Sequence, residues 1–206
     1  MSLPERRSDQ PESRPGSAVS HAAATSSVML LCSADDSTIR DGLFEVAKVR
    51  TARRKSLRMC VSDDVAEQRE ALFAPVCAII WDGHGGPGPK VDGEPLDSLL
   101  GPHGRQITAE ALMLGCCWGR TQEFTAIISQ YLARPLAFLG CEYKPDRTHG
   151  PLVFLPLLDA LAPLIGVGEE AQTLVDAMNR ALDVITKEHP ELKEACWKAE
   201  VLPKYD

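Results

Sequence analysis

The stretch Val76-Cys77-Ala78-Ile79-Ile80-Trp81, followed directly by Asp82-Gly83-His84-Gly85-Gly86, decides the fold class of this chain. The first six residues are apolar without alternation, which is typical of a strand covered on both faces of a parallel sheet. A second apolar run, residues 111–116, is followed by Cys117-Trp118-Gly119. We expect the two runs to be neighbouring strands, whose carboxyl ends bring His84 and Cys117 to one edge of the sheet.

Predicted strands and helices alternate along the rest of the chain. The predicted strands cover residues 28–32, 56–61, 76–81, 111–116 and 135–140, and the predicted helices cover 36–49, 62–74, 124–132, part of 151–165 and 171–185. This alternation predicts an α/β three-layer sandwich with a mostly parallel central sheet and helices on both faces. We predict a long glycine- and proline-rich loop over 83–106 and, in the charged stretch 190–206, a packing anchor at Trp197.

Composition limits the classes of protein that the chain can be. Its 206 residues suit one domain, which we place at 28–206 after a disordered N-terminal tail at 1–27. The net charge of -7 argues against nucleic acid as a partner. No apolar stretch reaches the roughly 20 residues that cross a bilayer, and the tail lacks an apolar signal-peptide core, so we expect a cytoplasmic protein without a membrane partner. Seven cysteines without a CxxC pair predict neither a disulfide framework nor a structural zinc site.

The residues at the two predicted strand ends are suited to acyl transfer. Cys117 is the candidate nucleophile, and its position before a predicted helix is expected to favour the thiolate. His84 is the candidate general base and acid. The backbone N–H groups of Gly85 and Cys117 are the candidate oxyanion hole, because glycine lets the backbone approach a substrate closely.

These two segments resemble the caspase-like cysteine peptidases, in particular the bacterial CHAT-domain branch of the group that also holds metacaspases and gingipains. The resemblance covers about residues 28–190, including Gln106 to Leu114 before the cysteine and Gly166 to Ala171 before a late helix. It implies a caspase-like fold and an endopeptidase that cleaves a protein or peptide substrate without a metal or other cofactor. A regulatory protein partner is also expected. His84 takes the family's histidine position and Cys117 its cysteine position.

The resemblance departs from the family at the nucleophile. CHAT domains usually have serine-alanine before the cysteine and threonine-glycine after it, whereas this chain has Gly115-Cys116 before and Trp118-Gly119 after. Counting back from Gly119 selects Cys116 as the alternative nucleophile. Counting forward along the strand selects Cys117, which we prefer because the two-residue period of a strand decides which side chain clears the sheet edge.

Two other functions are compatible with the same residues. The fold could serve as a catalytically dead scaffold or regulatory module. The Asp82-Gly83-His84-Gly85-Gly86 segment also resembles the metal-binding motif of PPM-type phosphatases, in which the aspartate binds Mg²⁺ or Mn²⁺. Such a site needs further aspartates, and the chain offers Asp92, Asp97, Asp146 and Asp159. Those phosphatases are mainly antiparallel β sandwiches.

Overall fold

The computed structural model describes residues 27–52, 56–143 and 149–205. Its strands are β1 (Ser27–Cys32), β2 (Ser56–Val61), β3 (Ala78–Asp82), β4 (Lys90–Val91), β5 (Glu94–Pro95), β6 (Ala111–Leu114), β7 (Leu136–Gly140) and β8 (Lys198–Leu202). Its α-helices are α1 (Ser37–Ala52), α2 (Val65–Leu72), α3 (Leu96–Leu100), α4 (Gln122–Ser129), α5 (His149–Leu161) and α6 (Ala171–Glu188). A 3₁₀ helix, Pro190–Ala195, precedes β8.

Six strands form one central sheet in the order β2-β1-β3-β6-β7-β8. The first five strands in this order run parallel, and only β8 is antiparallel to its neighbour β7. Strands β1, β3, β6 and β7 are buried along their whole length, as their continuous apolar sequences predict. The predicted α/β class with a mostly parallel sheet is therefore confirmed.

Helices cover both faces of the sheet, and the sheet divides the core into two halves. Side chains of α1, α5 and α6 pack on the face that carries Leu30 and Ile80. Side chains of α2, α3 and α4 pack on the opposite face, which carries Leu31 and Trp81. Each fully buried side chain of this size contributes about 1.5–3 kcal/mol through removal from water. None of the described helices is long and apolar enough to span a bilayer.

Three local predictions are wrong. The stretch 83–106 is not a plain loop, because it contains the β4–β5 hairpin and α3. Strand β6 ends at Leu114 rather than at residue 116. Strand β8 was missed, because an edge strand with Lys198 and Glu200 on it lacks the apolar signature of the inner strands.

Two further predictions concern the ends of the chain. Trp197 packs as an anchor, with its ring edge-on to Phe154 at a centroid distance of 6.0 Å. Residues 1–26 of the tail predicted at 1–27 lie outside the described residues, and the prediction is wrong at Ser27, which belongs to β1.

Candidate functional site

The carboxyl ends of β3 and β6 bring His84 and Cys117 to the same edge of the sheet. The two strands are adjacent and parallel, and Trp81 is the register partner of Leu114. His84 lies three residues beyond Trp81, and Cys117 lies three residues beyond Leu114. The two candidate residues therefore occupy equivalent positions on neighbouring turns.

Gly85 lies directly against the backbone of Cys117. A Cβ atom added at Gly85 would overlap the Cys117 carbonyl oxygen and would lie only 2.7 Å from the Cys117 nitrogen. Real Cβ atoms do not approach backbone atoms so closely, so this position requires glycine. The contact fixes the turn after β3 against the turn after β6.

Two carboxylates hold His84 in place. The ring Nε2 of His84 lies 2.5 Å from Oδ2 of Asp36. The backbone N–H of His84 donates to Oδ1 of Asp92 at 2.7 Å, and the backbone N–H of Asp92 donates to the His84 carbonyl at 2.6 Å. One acid therefore orients the imidazole ring, and the other orients the backbone that carries it.

Asp36 is a site residue that the sequence interpretation missed. Its Oδ1 accepts hydrogen bonds from the amides of Thr38 and Ile39 in the first turn of α1, which leaves Oδ2 for His84. The residue lies just beyond β1, the strand that pairs with β3. The rule that singled out His84 and Cys117, a polar side chain after a buried parallel strand, also selects Asp36 when it is applied to β1.

The two adjacent cysteines have different environments. Cys116 is fully buried, and burial holds the pKa of its thiol well above the ordinary value of 9.0. Cys117 is partly exposed. The thiol of Cys141, also buried, lies 3.0 Å from the carbonyl oxygen of Cys116 and fills the space beneath this turn. Accessibility therefore favours Cys117 as the nucleophile.

Two arguments that led from the sequence to Cys117 are wrong. Because β6 ends at Leu114, the two-residue strand period does not extend to the cysteines, and the turn decides which thiol is exposed. Helix α4 begins at Gln122 with Thr121 as its N-cap, so Cys117 lies outside its first turn. The helix dipole acts only within the first turn, so the dipole of α4 does not activate the thiol of Cys117.

The predicted oxyanion donors are adjacent in the structure. The contact between Gly85 and Cys117 brings the backbones of the two residues together, and the Cys117 atom nearest to a Cβ at Gly85 is the carbonyl oxygen. Within the described part of the chain, neither amide donates a hydrogen bond to a backbone or side-chain acceptor. Both amides therefore keep their capacity to donate to a bound acyl oxygen.

A buried carboxyl group lies beneath the site. Asp82 is only 6% exposed, and its carboxyl fits between two glycines: a Cβ at Gly115 would overlap it, and a Cβ at Gly150 would come within 2.6 Å. Burial raises the pKa of Asp82 well above its ordinary value of 3.8, and the neighbouring charges of Asp92 and Asp36 add to the effect. Burial also raises the pKa of Asp92, although the hydrogen bond from the His84 backbone N–H acts in the opposite direction and lowers it.

The aspartates that the phosphatase interpretation requires are dispersed. Of the candidates, Asp92 lies near Asp82, whereas Asp97 on α3 and Asp159 on α5 are exposed. Asp146 lies outside the described residues. No group of three or more histidine, cysteine or acidic side chains within the described ranges is arranged to hold a metal ion.

A cavity of about 350 Å³ opens beside His84. It is lined by polar residues from the end of β1, the start of α1 and the turn after β3: Ser33, Asp35, Asp36, Ser37, Thr38 and Asp92. The ring of His84 is reached from this cavity, since 40% of its side chain is exposed. The histidine is therefore open to a ligand from the β1 side, whereas Cys117 is not among the residues that line this cavity.

Comparisons with known proteins do not assign the chain to a family. No family model matches it, and neither a curated protein nor a solved structure is significantly similar to it.

Proposed function

We propose that the protein is a cysteine endopeptidase of the caspase-like, CHAT-domain type, with Cys117 as nucleophile and His84 as general base and acid. The observation that carries the proposal is the packing of Gly85 on Cys117, which joins the histidine turn to the cysteine turn. The mostly parallel sheet with helices on both faces is compatible with the fold that the sequence resemblance implies.

The geometry supports the following reaction. Asp36 binds Nε2 of His84, so Nδ1 is the ring nitrogen left to act on the thiol. Nδ1 accepts the proton of Cys117, and the thiolate attacks the carbonyl carbon of the substrate peptide. The amides of Gly85 and Cys117 stabilise the oxyanion. His84 then protonates the leaving amine, and afterwards takes a proton from the water that hydrolyses the acyl-enzyme.

Two observations favour this function over the alternatives. A scaffold with a dead site does not require an accessible histidine and cysteine, whereas both side chains are at least partly exposed here. The phosphatase alternative requires an antiparallel β sandwich, whereas five strands of this sheet run parallel. The cysteine peptidase is the function that uses the adjacent positions of His84 and Cys117.

The decisive experiment compares Cys117→Ala with Cys116→Ala. Peptide-library profiling of the purified protein reports cleavage, and the rate of iodoacetamide alkylation at each thiol, followed by mass spectrometry, reports reactivity without a known substrate. We expect Cys117→Ala to lower cleavage by roughly 10³-fold or more, because it removes the nucleophile. Cys116→Ala is expected to retain cleavage and to lose stability, because it removes a buried side chain.

The same experiment distinguishes the alternatives. Cleavage that survives in Cys117→Ala contradicts the proposal, and cleavage lost only in Cys116→Ala moves the nucleophile. Alkylation of Cys117 that is equally fast in wild type and His84→Ala would show that the histidine does not activate the thiol.

A further inference from the structure

Strand β2 forms one edge of the sheet and carries exposed apolar side chains. It pairs with β1 on one side, and no strand within the described residues pairs with its outer side. Met59, at the middle of β2, is 36% exposed, and Leu57 and Val61 are only partly buried. An unpaired edge of this kind offers a row of N–H and C=O groups to another strand.

The surface beside this edge is also open. A cavity of about 570 Å³ lies between β2 and α2. Small and apolar side chains contribute much of its lining, including Met29, Ala66, Ala71 and Ala74. On the opposite face of the sheet, α1 packs on β1 and β2 and exposes Phe44, 42% of which is accessible. Apolar surface is therefore available on both faces at this end of the sheet.

The faces of β2 determine which partner fits the edge. Leu57 and Val61 pack toward the face covered by α1, and Met59 shares that face because its register partner is Leu30. Arg58 and Cys60 face the cavity beside α2. If a second β2 runs antiparallel with Met59 opposite Met59, then Leu57 faces Val61 of the second copy, and apolar residues meet apolar residues.

Charge is complementary in the same register. Arg58 then lies opposite Cys60 of the second copy, whose Sγ is 3.7 Å from the backbone carbonyl of Glu67. Glu67 is exposed and lines the same cavity as Arg58, so pairing in this register brings the Arg58 and Glu67 side chains of the two copies to the same face of the joined sheet.

We propose that the chain forms a two-fold symmetric dimer through antiparallel pairing of β2, with Met59 at the two-fold axis. A two-fold interface is self-complementary, and the alternating faces of β2 meet that requirement. The pairing joins the two six-stranded sheets into one continuous sheet and covers the exposed edge.

The first test is the mass of the full-length chain, measured by light scattering coupled to size-exclusion chromatography over a range of concentrations. We expect the mass of two 22.4 kDa chains for the wild type. Met59→Lys places two like charges at the axis and is expected to raise the dimer Kd at least about tenfold. The matched control is Val184→Lys on α6, where the side chain is also exposed and the dimer is expected to persist.

The second test uses charge reversal to identify the register. Arg58→Glu and Glu67→Arg are each expected to weaken the dimer, and the double variant is expected to restore it, because the ion pair forms again with its charges exchanged. Thermal unfolding of each variant shows whether the fold survives.

Three results would overturn the proposal. A wild-type chain that stays monomeric at every concentration measured contradicts the dimer. A dimer that survives in Met59→Lys uses a different surface, of which β8 at the opposite edge is the first to examine. If the double variant dimerises as weakly as the single variants, the proposed register is wrong.

Discussion

The turn after β3 and the turn after β6 are held in different ways, although they occupy equivalent positions. Hydrogen bonds to two carboxylates hold the histidine turn: Asp36 binds the ring of His84, and Asp92 binds its backbone. Packing and hydrogen bonds to the backbone hold the cysteine turn: Cys116 is buried beneath it, Gly85 lies against Cys117, and the Gly119 N–H and the Cys141 thiol donate to the Cys116 carbonyl. The position of the candidate base therefore depends on carboxylate side chains, and that of the candidate nucleophile depends on packing and on backbone hydrogen bonds.

The difference matches the chemistry that each residue would perform. A general base must present one ring nitrogen to the thiol, and a carboxylate on the other nitrogen fixes the ring's orientation and tautomer. A thiol nucleophile needs an accessible sulfur and a rigid backbone that places the oxyanion donors correctly. Variants that disturb packing and variants that disturb hydrogen bonding should therefore have separable effects.

Among variants that keep both His84 and Cys117, the largest effect is expected from Gly85→Ala, because it lowers both stability and rate. The added methyl group overlaps the Cys117 carbonyl and must push the two turns apart. Overpacking of this kind costs about 1–3 kcal/mol of unfolding free energy, and a displacement of the reacting groups by about 1 Å lowers the rate about 10²-fold. Denaturant unfolding and peptide cleavage measure the two effects.

Gly86→Ala is the matched control for this variant, because a Cβ at Gly86 would meet no atom within 4 Å. We expect Gly86→Ala to retain wild-type stability and cleavage. Equal losses in both variants would show that the turn tolerates no side chain at either position, and that the contact with Cys117 has no special role.

Asp36→Asn is expected to have the next largest effect. Asparagine is also a good N-cap, so α1 keeps its start, whereas the carboxylate that holds Nε2 of His84 is lost. We expect kcat for peptide cleavage and the alkylation rate of Cys117 to fall about 10²-fold, which is the usual contribution of general acid–base catalysis.

Asp41→Asn, five residues away on α1, exposed and outside the cavity lining, is the control for Asp36→Asn and should leave both rates unchanged. Wild-type rates in Asp36→Asn would refute the orienting role of Asp36 and leave the position of His84 to Asp92 alone.

A smaller effect, on stability rather than on cleavage, is expected from Asp82→Asn. Burial raises the pKa of Asp82 in the folded protein, so the folded state binds this proton more tightly than the unfolded state does. The stability that the proton contributes is present below the ordinary value of 3.8 and is lost as pH rises through the raised value. The wild-type Tm should therefore fall more steeply than that of Asp82→Asn as pH rises from mildly acidic to neutral.

Melting curves of the two proteins over this pH range measure the difference. Parallel curves would mean that Asp82 has the same proton affinity in the folded and unfolded states. A steeper fall in Asp82→Asn than in the wild type would contradict the direction of the pKa shift.

The inner strands could be predicted from the sequence because burial on both faces demands an uninterrupted apolar run. Residues 28–31 and 78–81 have such runs and form β1 and β3. Strand β8 could not be predicted in this way, because pairing with β7 and not apolar content keeps it in the sheet. The short helix α3 was hidden for a similar reason, since a five-residue segment carries little periodic signal.

Part of the candidate site could be predicted from the sequence. His84 and Cys117 stand out because each follows a buried strand and has glycine nearby. The apolar runs and the side chains that follow them are local properties of the sequence. Asp36 did not stand out, because an acidic residue before a helix is explained by capping alone. Its further hydrogen bond, between Oδ2 and a residue 48 positions away, exists only in the folded chain.

The sequence by itself determined the α/β class and the two strand ends at which the candidate base and nucleophile lie, because apolar runs and the residues that end them are local properties. The tertiary structure decided that Cys117 and not Cys116 is exposed, that Gly85 packs on Cys117, and that Asp36 holds His84. Those relations join residues from separate turns, and their geometry is set by the register of β1, β3 and β6 in the sheet. Side-chain burial and hydrogen bonding between distant segments follow from that register and not from any one stretch of sequence.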